Sequence, residues 1–199
     1  MITAEYCSSL FLSTIELYHT SDDINTPCPV SNSSSIHDIL IRKSWIDTIQ
    51  WHLEDIIRRP GLDANKFIET KKRIDTSNQE RTDLVEKIDD WFMEQFVDVI
   101  LIEHPRLNTE TPAWTIDRLS ILMLKIFHMR EQTQRLDATA EHLALCGLKY
   151  DILLSQKLDL SQSINSFISE LFEGRAQMKL YKQMKMYNDP STNPQLYLK

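Results

Sequence analysis

The residues in this chain best suited to chemistry fall into two sets. His52, Asp55, Asp117 and His128 have the groups for proton transfer, and Asn78, Arg81, Trp114, Arg118 and Lys125 have those for holding a ligand. Imidazole titrates near neutrality, and a neighbouring carboxylate fixes its tautomer, so a His–Asp pair is a natural general base. His52 with Asp55, or His128 with Asp117, would supply one. Arg81 and Arg118 would grip a phosphate through paired hydrogen bonds, and Lys125 would add a point charge. Asn78 would orient hydroxyls, and Trp114 offers a flat face on which a sugar or base could stack. Each residue also has a plainer reading. His52 suits a satisfied core histidine, Trp114 a hydrophobic staple, and the polar set as a whole a closed network that fixes helix register.

Helical phase is what brings these residues together. The organising segment is residues 116–147, read as one uninterrupted helix on which Asp117, Leu124, His128 and Arg135 fall on a line at about 100° per residue. Arg118 and Lys125 stack two turns apart beside that line. Leu119, Leu122, Met123, Ile126 and Phe127 surround the axis, so this helix is expected at the centre of a bundle. Burial of Lys125 would require a carboxylate partner or a wet cavity, unless its stem snorkels outward.

Residues 36–59 predict a helix introduced by Ser35 and stopped by Pro60 and Gly61. Ile41, Trp45, Ile49, His52 and Ile56 share its apolar face. Lys43, Asp47, Gln50, Glu54 and Arg58 are assigned to solvent, with Glu54 and Arg58 as an i,i+4 pair. The next helix, expected over residues 63–101, carries the stripe Phe67, Ile74, Val85, Ile88 and Phe92. That stripe passes through Asn78 and Arg81, which are therefore expected to face inward and to meet Asp55, Asp75 and Asp117 as counter-ions.

The remaining segments frame this centre. Residues 2–19 predict a strap helix with Leu10, Phe11, Ile15 and Tyr18 on or near one face, followed by a Ser- and Pro-rich loop to residue 35. Residues 103–115 read as a loop, and residues 148–172 as a purely structural helix. The tail is expected to be helical until Asn188, Asp189 and Pro190. Met178, Tyr181, Lys179, Lys182 and Lys185 there suit docking on the chain's own bundle, homo-oligomer contacts or a partner. The expected fold class is all-α, a single-domain bundle of long helices. Residues 1–35 form the strap and loop, 36–174 the bundle, and 175–199 a C-terminal helix and extended tail of the same domain.

Composition removes several function classes. The chain has only three glycines, Gly61, Gly147 and Gly174, each read as ending a helix, which leaves no glycine-rich phosphate loop for kinase, Rossmann or P-loop chemistry. A formal charge of −7 argues against general nucleic-acid binding. Cys7, Cys28 and Cys146 are read as packed, reduced thiols in a cytoplasmic protein, without a basic or histidine neighbour at helical spacing to activate them. The first residues lack a basic leader, and no run approaches the roughly 18 apolar residues of a membrane span. His52 has no second histidine at i+4, and no ExxH string at all is read in the chain, so no metal ligand set is expected. No cofactor is indicated.

Taken in order, WHLEDIIRRPG with NQERTDLVEKID, IDRLSILMLKIFHM, and YKQMKMYNDPSTNPQLY resemble the domain-of-unknown-function family 4254 over nearly the whole chain after Ser35. The resemblance implies an all-helical bacterial protein. The DRLSIL string is also similar to one in small helical proteins associated with surface-glycan synthesis. The family's recurring polar positions would be Trp51, His52, Glu54, Asp55, Arg58, Asn78, Gln79, Asp117, Arg118, Lys125, His128, Met129, Asn188 and Asp189, with no role attached to any of them. Three functions follow as expectations. One is an accessory protein that binds a phosphorylated sugar or nucleotide-sugar, or the glycan-synthesis enzyme that uses it. Another is an enzyme on the same ligand class, and the third a structural interaction module.

Overall fold

The chain, described here over residues 2–182, 186 and 189–198 of a computed structural model, is built by short polar caps that start long helices. Thr3 opens α1 (Ala4–Tyr18) by accepting from the Tyr6 amide. Ser35 stands at the start of α2 (Ile36–Ile57) without a side-chain cap bond. Asp63 accepts from the amides of Asn65 and Lys66 and starts α3 (Ala64–Gln95). Thr111 caps α4 (Pro112–Thr133), whose first turn takes Pro112 where no amide donor is needed. Thr139 accepts from the His142 amide and starts α5 (Ala140–Phe172). Thr3, Asp63, Thr111 and Thr139 each satisfy an amide that the first helical turn leaves without a partner.

α4 is the hub, touching α1, α2, α3 and α5. Its apolar residues Ile116, Leu119, Leu122, Met123, Leu124, Ile126 and Phe127 are all buried, together with Phe11 and Ile15 of α1, Leu40 of α2, Val85, Ile88 and Phe92 of α3, and Ile164 and Ile168 of α5. The fold is mostly helical and single-domain, as the helical periods predicted, with a short tail helix, α6 (Pro194–Tyr197).

Several boundaries differ from the sequence reading. The expected helix over residues 116–147 is interrupted at residues 134–139, where Thr139 caps a fresh start and Glu141 sits favourably in the new first turn. Gly147 therefore lies inside α5 and ends nothing. α3 stops at Gln95, and the chain beyond it runs alongside the end of α5, where the Ile102 amide donates to the Gly174 carbonyl at 3.1 Å. Within the expected 103–115 loop lies β1 (Arg106–Asn108), which pairs in parallel with β2 (Ala176–Met178), Arg106 opposite Ala176. β2 occupies the start of the tail that was expected to be helical. Ala176 is drawn in by burial beside Phe167 and Leu171, and Met178 packs against the same cluster. Lys182 lies along α3, with Nζ 3.2 Å from Glu86 and 3.6 Å from Asp90. Lys185 and Asn188 fall outside the described residues.

Candidate functional site

Where α2, α3 and α4 meet, two cations and two carboxylates alternate in a closed ring. Lys43 Nζ lies 2.5 Å from Asp47 and 2.7 Å from Asp117. Arg81 Nε lies 2.5 Å from Asp47, and its Nη2 lies 3.3 Å from Asp117. Ser120 donates a further bond to Asp47 at 2.5 Å. The Lys43 and Asp47 side chains have no exposure, whereas Arg81 and Asp117 retain 21% and 16%, so the ring is sealed at one end and meets solvent at the other. Burial works against the Arg81 charge, but Asp47 and Asp117 outweigh it and hold the guanidinium pKa above its ordinary value. One turn along, the Gln50 amide donates to Asn78 at 2.7 Å, and Ser77 donates to Gln50 at 3.1 Å.

This arrangement corrects the assignment of α2's faces. Lys43, Asp47 and Gln50, placed toward solvent because they lie opposite the apolar face of α2, are buried. Asn78 and Arg81 do face inward, and what they meet is that polar stripe: Asp47 pairs with Arg81 and Gln50 with Asn78, the register of two antiparallel helices. The stripe's i, i+4, i+7 spacing, matched by the i, i+3 spacing of Asn78 and Arg81, was the available signal.

A second cluster joins α1, α2 and α4. His19, His52 and His128 each bring one ring nitrogen within 4.8 Å of the other two. His52 stacks on Tyr18 at 14°, and His128 stacks on Trp51 at 13°. Burial pushes both His52 and His128 below the ordinary imidazole pKa, which favours neutral rings. Neither histidine takes the carboxylate expected for it. His52 has Asp22 at 3.7 Å, and His128 Nδ1 has Glu131 at 2.9 Å; Asp117 belongs to the ring of charges, and Asp55 is exposed. His19 lies outside the residues singled out from sequence, and Glu16-Leu17-Tyr18-His19 corrects the expectation that the chain holds no ExxH string.

The binding set is scattered differently from the expectation. Lys125 is exposed and not trapped in the core, because its position on α4 faces the channel beside α5. Arg118 is also exposed and pairs with Glu110 at 2.9 Å, while Asp75 pairs with Lys71 on its own helix. Trp114 is half-buried against the core in the first turn of α4, three residues after the cap and so outside the N′ and N4 positions of a hydrophobic staple. Cys146 does have a histidine at helical spacing, His142, whose Nε2 is 3.4 Å from the sulfur. Burial pushes the Cys7 thiol up to about 12, which leaves it inert.

Open clefts adjoin both clusters. One of about 350 Å³ is lined by Gln50, Trp51, Glu54, Asp55 and Arg58, with Arg81 and Asp47 at its base. A neighbouring cleft of about 530 Å³ shares Trp51 and Asp55 and adds Lys125, His128 and Lys149. A third, of about 520 Å³, continues past Lys125 to Asp117 and Arg118. Another, of about 460 Å³, lies beneath the loop at residues 24–28, away from both clusters.

Residues 37–180 match the family described as protein of unknown function (DUF4254). The chain belongs to this family. No curated protein and no solved structure matches it. The DUF4254 span runs from α2 through β2, so it includes the whole charge ring as well as His52 and His128. His19 and Asp22 precede it. Among the described residues of this DUF4254 chain, no helix is long and apolar enough to cross a membrane.

Proposed function

We propose that this DUF4254 chain binds a small, hydroxyl-rich anionic ligand, of the phosphorylated-sugar or nucleotide-sugar class used in surface-glycan synthesis, in the groove between α2, α4 and α5. The supporting observation is that two adjoining clefts share Trp51 and Asp55 while Lys125 and Lys149 line the larger one. Its volume of about 530 Å³ suits such a ligand. Trp51 supplies a flat apolar surface, the Asp55 and Glu54 carboxylates accept from hydroxyls, and the two lysines answer the phosphate charge. Arg81 is committed to Asp47 and Asp117, so the anion falls to Lys125 and Lys149 in its place. Calorimetric titration with glucose 1-phosphate and UDP-glucose tests the reading. Saturable binding is expected, weakened at least about tenfold in Lys125→Met/Lys149→Met, since a charge-assisted contact contributes roughly 1.5–3 kcal/mol. Both positions are exposed, so the fold should persist. Absence of binding to either probe would reject the reading.

A second reading rests on the sealed end of the charge ring. Lys43 and Asp47 reach no solvent, as befits a network that sets helix register in a structural interaction module.

A further inference from the structure

The three histidines come from three different helices or their ends, and the outer ring nitrogens of two of them, His19 and His128, are already engaged. His19 follows the last residue of α1, and its Nδ1 lies 2.7 Å from the Ile15 carbonyl, which requires that nitrogen to carry the proton and leaves Nε2 with its lone pair. His128, on α4, uses Nδ1 toward Glu131 at 2.9 Å. Its Nε2 is buried without a hydrogen-bond partner among the described residues. The Nε2 atoms of His52 and His19 stand 3.3 Å apart. Two nitrogens bound at about 2.0–2.1 Å to a tetrahedral ion are separated by about 3.3–3.4 Å, so this pair already has the edge length of a tetrahedral site.

The shell around the rings has what a metal centre needs. Tyr18 and Trp51 hold the planes of His52 and His128 by stacking, and Phe127 packs on His19 with centroids 4.4 Å apart. A carbonyl and a carboxylate on the outer nitrogens are the usual partners that orient metal-bound imidazoles. Asp22, 3.7 Å from His52 Nε2, is the nearby carboxylate, and it holds a left-handed backbone conformation with φ of 51°. That conformation is uncommon outside glycine, and aspartate is among the few residues that tolerate it.

We infer that His19, His52 and His128 form a binding site for a divalent transition-metal ion of the zinc class, held by three imidazole nitrogens, with the fourth position open to water or to Asp22 beside His52. Imidazole-rich, four-coordinate geometry suits zinc and cobalt(II), and it does not suit calcium or magnesium, which take oxygen ligands. Because the ligands lie on α1, α2 and α4, the ion would fasten the strap helix to the bundle, and its binding would appear as added stability of the fold. His128 and Trp51 also line the lysine-bearing cleft, but the ion is held by the three imidazoles and the anion by Lys125 and Lys149, so cobalt uptake and the Lys125→Met/Lys149→Met titration fail independently.

The test uses the full chain without an affinity tag, stripped with chelator and titrated with cobalt(II) and then zinc. One equivalent of cobalt is expected, with the intense visible absorption of a four-coordinate ion, displaced by zinc, and the melting temperature should rise in both cases. Glu131→Gln should weaken zinc binding about 10–100-fold, the usual effect of losing an outer partner of a ligand histidine. His19→Gln and His128→Gln should weaken it more. If these variants fail to fold, the wild-type cobalt spectrum and Glu131→Gln still decide. No stoichiometric cobalt uptake, a weak six-coordinate spectrum, or unchanged affinity in Glu131→Gln and the histidine variants would overturn the site.

Discussion

Lys43 shows how a single residue can be indispensable without touching any ligand. Its ammonium sits between Asp47 and Asp117 with no solvent contact, so its removal leaves two carboxylates facing Arg81 alone. An uncompensated buried charge costs more than the intact pair ever contributes. Lys43→Met should therefore lower stability by roughly 3–5 kcal/mol, read from urea unfolding. Lys43→Met/Asp47→Leu should recover much of that loss, because Arg81 and Asp117 then neutralise each other. A double variant no more stable than the single one would show that packing, and not charge balance, governs the site. These residues also mark where sequence reading reaches its limit. Periodicity alone placed Asn78 and Arg81 inside, because an apolar stripe runs through them. The same reasoning sent Lys43 and Asp47 outside, because a helix buried on two faces has no apolar stripe to reveal the second. Lys125 takes the outward of its alternative readings, because apolar neighbours in sequence do not bury a residue whose own position faces an open channel. His19, a lone residue at a helix end, carries no periodic signal, and only the fold brings it to His52 and His128.

At the scale of elements, helix existence was readable wherever apolar residues recur over many turns, and boundaries were readable where a cap is specific, as at Asp63 and Gly61. The parallel pairing of β1 with β2 was not readable, since strands of three residues contain too little pattern, and they form here because the chain after α5 is turned toward residue 102 by Gly174. Two glycines read alike in sequence are thereby separated. Gly174 has φ of 68°, and a Cβ there would stand 2.2 Å from the Ile100 carbonyl oxygen. Gly147 lies inside α5 with no atom within 4 Å of the corresponding position. Gly174→Ala should thus destabilise the fold by more than the roughly 1–2 kcal/mol of left-handed strain alone, because backbone must also move. Gly147→Ala should stabilise it by roughly 0.5–1 kcal/mol through helix propensity. Thermal unfolding of the two variants compares them directly, and equal shifts of the same sign would contradict the placement of α5.

For the molecule as a whole, stability depends on how α4 is fixed to its neighbours, and pH reaches that junction through Asp89. This side chain on α3 is buried, with Oδ1 lacking a hydrogen-bond partner among the described residues. Burial raises its pKa to about 6, against the pull of the Thr111 hydroxyl and the Ala113 amide at the start of α4. In the unfolded chain an aspartate titrates near roughly 3.9. Below about pH 4 both states hold the proton, and the group imposes no penalty. Between about 4 and 6 the unfolded chain releases its proton while the folded chain retains it, so stability falls as pH rises. Above about 6 both are ionised and the full cost of a buried carboxylate is in place, about 2–3 kcal/mol for a shift of this size. Asp89→Asn keeps the shape and an acceptor for Thr111 while removing the charge. It should unfold at the same urea concentration as the wild type at pH 4 and at a higher one at pH 7.5, with the gap opening across the interval between the two pKa values. A constant gap from pH 4 to 7.5 would mean that Asp89 is already ionised throughout, and that the grip of α3 on the start of α4 is insensitive to its proton.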